Sequence, residues 1–131
     1  MAAQRILFDT PILIDLLERR PRAIARLRSL ADQGARFAIS MLTLAEIHSG
    51  IRPDEEEGTA RLLDLFDAIP LSEQLARKAG ELIAARRRVG RAYSLDDMLI
   101  AATAIQYGCM LYTASRKDFE APGVVFYTPE R

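Results

Sequence analysis

The chain has 131 residues, 50% of them hydrophobic and 27% charged, with 18 basic side chains balancing 18 acidic ones. This is the balance of one soluble globular domain spanning residues 1–131, and zero net charge leaves only local patches to attract an anionic partner. A single cysteine, Cys109, excludes an intrachain disulfide or a cysteine-built zinc site. No apolar run nears the ~20 residues of a membrane span, and MAAQRILFDT turns acidic too early for a secretory signal, so a cytoplasmic protein is expected.

Residues 5–9 read as a short buried strand ending in the acid Asp9. Thr10 and Pro11 then look like the N-cap and first position of a helix bearing Ile12, Leu13, Leu16 and Leu17. A second helix begins at Pro21, places Ala23, Ile24, Leu27, Leu30 and Ala31 on one face, and stops at Gly34. Residues 36–40 form the next strand, and a short helix through Leu44, Ala45, Glu46 and Ile47 ends at Gly50. The acidic run after Pro53 suits a helix N-terminus, and Leu62, Leu63, Leu65 and Phe66 predict that this helix continues through Phe66. Residues 68–71 give at most a short edge strand, because Pro70 cannot donate to a ladder.

Ser72 can cap a long helix with the stripe Leu75, Ala76, Ala79, Leu82 and Ile83, whose last turn is Arg86, Arg87 and Arg88 before Gly90. Ser94, Leu95, Asp96 and Asp97 open another helix in capping-box form. Its apolar body, residues 99–105, predicts packing on several sides. Residues 109–113 and 124–127 complete the pattern as buried strands.

Strands alternating with helices predict an α/β fold, a central parallel sheet with helices on both faces. Such sheets bind ligands outside the carboxyl ends of their strands. Asp9 stands at one such end, Glu46 lies on the helix leaving the second strand, Asp118 follows the strand at residues 109–113, and Asp97 stands at a helix N-terminus. The four acids can therefore face one cleft, where like-charge repulsion calls for a cation, and carboxylate oxygens suit Mg²⁺ or Mn²⁺ and phosphodiester chemistry. Plainer roles compete: Asp9 as a helix cap, Asp97 as the partner of Ser94, and Asp118 as an exposed turn residue. Glu46 is harder to explain so, because it lies beside Leu44, Ala45 and Ile47. The lone histidine, His48, is two residues from Glu46 and on a different helix face, so no nuclease based on paired histidines can be built. Phosphate-binding glycine loops and the serine-nucleophile elbow are absent.

Ile6-Leu7-Phe8-Asp9-Thr10, the segment from Ile39 to Glu46, the segment from Asp97 to Ala104, and Tyr112-Thr113 through Asp118-Phe119 together resemble the four motifs of PIN-domain ribonucleases. Specifically, they resemble the VapC toxins of bacterial and archaeal toxin–antitoxin pairs. The resemblance covers essentially the whole chain and implies the three-layer PIN-like fold, a homodimer, Mg²⁺- or Mn²⁺-dependent endoribonuclease activity, and a small VapB-like antitoxin that blocks the site. It implies that Asp9, Glu46 and Asp97 hold the metal. The family's fourth acid or amide has Ser115 in its slot here, so Asp118 is carried as the candidate replacement. Pro11 stands where the family has a polar residue, and Asp96 points about 100° from Asp97 on the helix.

Thr10, Ser115, Arg116 and Arg87 complete the expected substrate-side set, with Arg86, Arg88, Arg91 and Lys117 as further candidates for the RNA backbone. The competing reading is a catalytically weak RNA- or protein-binding module of the same fold. A phosphoacceptor domain of flavodoxin-like topology would want an acidic pair after the first strand, and Asp9 has no acidic neighbour there.

Overall fold

The computed structural model describes residues 4–129. Its centre is a five-stranded parallel sheet in the order β3-β2-β1-β4-β5. The strands are β1 (Arg5–Phe8), β2 (Arg36–Ser40), β3 (Phe66–Ile69), β4 (Met110–Tyr112) and β5 (Val125–Phe126). The helices are α1 (Thr10–Leu17), α2 (Pro21–Asp32), α3 (Met41–Ser49), α4 (Glu56–Leu63), α5 (Glu73–Arg88), α6 (Leu95–Gln106) and α7 (Arg116–Phe119). A 3₁₀ turn, Pro53–Glu55, precedes α4.

Alternation along β1 divides the core. Ile6 and Phe8 face one side, where they join Leu13 and Leu16 of α1, Leu30 of α2 and Ile47 of α3. Leu7 faces the other, with Ala38, Ile100, Ala104, Leu111 and Phe119. Beyond this second face α5 and α6 pack through Leu75, Ala79, Leu82, Met98, Ala101 and Ala102, the close contact that so many small residues allow. Helices thus cover both faces, as the alternation predicts.

Three local differences have physical causes. Thr10 is not the cap of α1: Asp9 is, accepting from the Thr10 amide at 2.8 Å with extended backbone, so Pro11 stands one position further in. The helix expected to run through Phe66 stops at Leu63. Phe66 instead starts β3, edge-on to Phe8 at 5.0 Å and tilted against Phe37 at 5.6 Å, because ring packing in the core outweighs a helical spacing that leaves Leu65 outside. The last strand is shorter than expected and is not buried: Val125 is 58% exposed on the sheet edge.

Phe8, 1% exposed, makes edge-on ring contacts with Phe37, Phe66 and Tyr112 and so ties the three central strands to the edge strand β3. We predict that Phe8→Ala lowers unfolding free energy by about 3–5 kcal/mol through lost burial and a cavity, as measured by urea denaturation. A loss below about 1 kcal/mol would contradict this packing.

Candidate active site

β1 is the central strand, with β2 on one side and β4 on the other. The chain therefore reverses its winding between β1 and β4, and the crevice at their carboxyl ends is where ligands bind in open sheets. Asp9 is the first residue beyond β1. Its amide donates to Tyr112 O at 3.0 Å, its Oδ1 accepts from the Thr10 amide, and its Oδ2 accepts from Thr113 Oγ1 at 2.9 Å. The residue is only 6% exposed.

Thr10 turns inward. A carboxylate can only accept, so the Thr10 hydroxyl gives its proton to Glu46 Oε1 at 3.0 Å and shares its other hydrogen bond, also 3.0 Å, with the fully buried Thr43 hydroxyl. The expected substrate contact Thr10 is thereby the residue that joins α1 to α3 and aims Glu46. Ser40 caps α3 and Ser94 caps α6, the latter accepting from the Asp97 amide at 3.0 Å. The capping therefore places Asp97 in the first turn of α6.

Electrostatics links the acids pairwise. Asp9 is held above the ordinary carboxylate range chiefly by burial, against the opposing hydrogen bonds from Thr113 and Thr10, and the charges of Asp97 and Glu46 push it further up. Asp97 is likewise raised, first by burial, then by the charges of Asp118 and Asp96; the Ser94 hydroxyl and the Arg86 cation oppose the rise. Asp118 is therefore in the field of the cleft although its side chain is exposed. His48 is exposed on α3 and takes no part in these contacts.

Among the described residues, no three His, Cys, Asp or Glu side chains close on one point. The expected three-acid set is thus not preformed, since its members repel and Glu46 is drawn to Thr10. The remaining donors still fit Mg²⁺ or Mn²⁺. These ions take hard oxygen ligands, and Mg²⁺ is commonly held by one or two carboxylates with several waters kept. Asp9 and Asp97 supply two carboxylates, both held above the ordinary range chiefly by burial.

The remaining candidates divide. Ser115 is exposed, and its amide donates to Thr113 Oγ1 at 3.0 Å. Arg116 stacks on Phe126 and donates to Tyr127 O and Thr128 Oγ1, so it holds the strand-end segment. Arg87 stacks on Tyr93, with its guanidinium also bonded to the Tyr93 hydroxyl. Arg88 and Lys117 are exposed, while Arg91 pairs with Glu120 at 3.5 Å. Arg86 is the correction: at 7% exposure it is buried and bonded to backbone carbonyls, out of reach of an RNA backbone. Thr43 and Thr113 are given no role from the sequence: Thr113 holds Asp9 directly, and Thr43 bonds the Thr10 hydroxyl that holds Glu46. Their signal was a threonine inside otherwise apolar segments.

The PIN-domain family profile matches residues 6–123. Ribonuclease VapC10 of Mycobacterium tuberculosis is 38% identical over 99 residues, covering 76% of this chain and 74% of its own. The chain belongs to the PIN-domain family, in its VapC branch. Two solved structures agree with this placement. The crystal structure of VapBC2 from Rickettsia felis bound to a DNA fragment from its promoter has a TM-score of 0.81 and 25% identity, covering 95% of this chain and 98% of the other. A toxin–antitoxin complex from Klebsiella pneumoniae has a TM-score of 0.71 and 34% identity, with 95% and 96% covered. In this PIN domain Asp9 lies at the β1/β4 crevice, and the charges of Asp97 and Glu46 act on it there.

Because Asp9 and Asp97 bind protons more tightly folded than unfolded, they add stability below the ordinary aspartate value, about 3.9, and withdraw it as pH rises through their raised folded values. We predict that the metal-free protein loses stability across that window and that Asp9→Asn flattens the loss. Thermal melts in chelator at a series of pH values measure it; an unchanged pH profile in the variant would refute the assignment.

Proposed function

We propose that this PIN domain is the toxin of a type II toxin–antitoxin pair, an endoribonuclease that cleaves RNA phosphodiester bonds with Mg²⁺ or Mn²⁺. The observation that carries the reading is Asp9, a buried carboxylate at the carboxyl end of the central strand, in the field of Asp97 and Glu46. The names of the relatives support the activity and the partner: one is a ribonuclease, and another is part of a toxin–antitoxin complex.

Asp9 and Asp97 would hold the metal, with Glu46 joining directly or through water. A bound divalent ion supplies a water of lowered pKa and neutralises charge on the phosphoryl oxygens. The protein's own share is positional: Thr113 and the Thr10 amide fix the two Asp9 oxygens, and Thr10 with Thr43 fixes Glu46. The exposed cations Arg87, Arg88 and Lys117 would meet the backbone of a single strand, and Tyr93, on which Arg87 stacks, would offer its other face to a base. A VapB-like antitoxin and a second copy of the chain would cover apolar side chains that the single domain leaves open, among them Leu65 (55% exposed), Val89 (71%) and Leu95 (58%).

A second reading, a PIN-fold RNA- or protein-binding module with weak turnover, is favoured by one observation: among the described residues, no three acids close on one point. Cleavage assays separate the two. We predict that the protein cleaves single-stranded RNA with Mn²⁺ or Mg²⁺ and is silent in chelator. Asp9→Asn and Glu46→Gln should each lower kcat by at least about 100-fold while remaining folded. Full activity in both variants would sink the nuclease reading. RNA binding without cleavage in the native protein would favour the module.

The fourth position yields its own prediction. Asp118 acts electrostatically on Asp97, whereas Ser115 brings no charge. Ser115→Asp should therefore tighten Mn²⁺ binding in a calorimetric titration, since an added carboxylate favours the cation. Asp118→Asn should weaken it. Unchanged affinity in both variants would remove these two residues from the site.

A further inference from the structure

Arg86 is a buried cation whose charge acts on Asp97 but which is assigned no contact with metal or substrate. Its Nη1 donates to Ala92 O at 2.8 Å. Its Nη2 faces three carbonyls, Lys117 O at 3.3 Å, Asp118 O at 3.1 Å and Glu120 O at 2.9 Å. The side chain is 7% exposed, and its Nε is buried with no hydrogen-bond partner. So the guanidinium is placed for its two Nη ends, at the expense of the third nitrogen.

Each end reaches a different part of the cleft. Ala92 lies two residues before Ser94, the cap that starts α6 and brings Asp97 into the first turn. Lys117, Asp118 and Glu120 belong to α7 and its C-cap. A helix of four residues cannot satisfy its own last carbonyls, and Arg86 supplies the missing donors from another helix. Phe119, 2% exposed, anchors the same short helix in the core, Arg116 ties it to residues 126–128, and Arg91 reaches Lys117 O and Glu120 from the exposed side only at the long distance of 3.5 Å. An apolar side chain of similar volume would leave these carbonyls without their donors, so a loss of stability accompanies any such replacement and cannot by itself reveal a role in the cleft. What only a planar fork can do is bond two backbone segments in fixed directions at once.

We propose that Arg86 is the positioning residue of the cleft: it clamps the segment before α6 against α7, and so fixes Asp97 relative to Asp118. The proposal deepens, and rests on, the reading of the cleft as a metal-dependent nuclease site.

The test compares Arg86→Met and Arg86→Lys with the native full-length chain. Three readouts are needed: Mn²⁺ affinity by calorimetry, kcat and KM on a fluorophore–quencher single-stranded RNA, and hydrogen exchange at the Asp118 amide, which is bonded to Ser115 O at 2.9 Å. The expected result for Arg86→Met is a folded protein with faster exchange at Asp118. Mn²⁺ affinity and kcat should fall about 10- to 100-fold, the range seen when groups that orient metal ligands are removed, with little change in KM. Lysine keeps the charge but not the fork, and should restore less than half of the lost affinity.

Native Mn²⁺ affinity and kcat in a folded Arg86→Met protein would overturn the proposal, because a merely structural arginine would lower only the melting temperature. If the methionine variant does not fold, Arg86→Lys decides by the same criteria: native values refute, reduced values with fast Asp118 exchange support. Asp9→Asn, run alongside, separates the two levels. Should it cleave at the native rate, the nuclease reading fails, and Mn²⁺ affinity with amide exchange still judges Arg86.

Discussion

The structure depends on burying a carboxylate at Asp9 without leaving it unsatisfied. A buried charge of this kind is tolerated only when its lone pairs find donors, and Asp9 finds them in two different segments. One is the first amide of α1, the helix it caps; the other is the hydroxyl of Thr113, more than a hundred residues along the chain. The Asp9 amide adds a bond to Tyr112 O. Parallel pairing of β1 with β4 is therefore what brings Thr113 to Asp9, and the sheet order that makes β1 central is also what makes the acid tolerable. Fold and site share this constraint.

The tolerance is incomplete, which is where function enters. Hydrogen bonds from Thr113 and Thr10 favour the charged form of Asp9, yet burial and the neighbouring acids outweigh them. Natural domains accept such local conflict where it serves chemistry and compensate elsewhere. Here the compensation lies in the apolar layers: Phe8 with its three ring contacts on one face, and the close approach of α5 to α6 through alanines on the other. On the proposed reading, a cation entering the cleft would relieve the repulsion that the folded core sustains without it.

Much of this was legible in the sequence because it is local. Apolar runs at residues 5–8 and 36–40 show their strands directly, Ser72 and Ser94 mark helix starts, and Gly34 and Gly90 mark stops with positive φ. The acids were legible from their place at segment ends. What sequence could not show depends on contacts between distant residues. Phe66 has helical spacing with Leu62 and Leu63 but belongs to a strand, because its ring is needed against Phe8 and Phe37. Arg86 sits in an Arg-Arg-Arg run that reads as a solvated last turn, and only the arrival of α7 over the end of α5 separates it from its exposed neighbours. Thr10 looked like a cap and a substrate contact, and its hydroxyl is instead committed to Glu46 and Thr43 across 36 and 33 residues.

The chain's two departures from the family pattern fall where the structure can absorb them. Pro11 is exposed in the first turn of α1, so a polar side chain lost there removes nothing from the bonds that hold Asp9. Position 115 contributes through its backbone: the Ser115 amide donates to Thr113 Oγ1, whose own proton goes to Asp9 Oδ2. That relay is independent of the side chain at 115, so serine keeps the orientation of Asp9 while giving up a charge. The charge that acts instead, Asp118, falls on Asp97 rather than on Asp9. The cleft thus has two halves with different means of support. Hydroxyls of Thr10 and Thr113 hold Glu46 and Asp9 by direct hydrogen bonds, with Thr43 behind Thr10, whereas Asp97 and Asp118 are placed by the backbone segments that Arg86 joins.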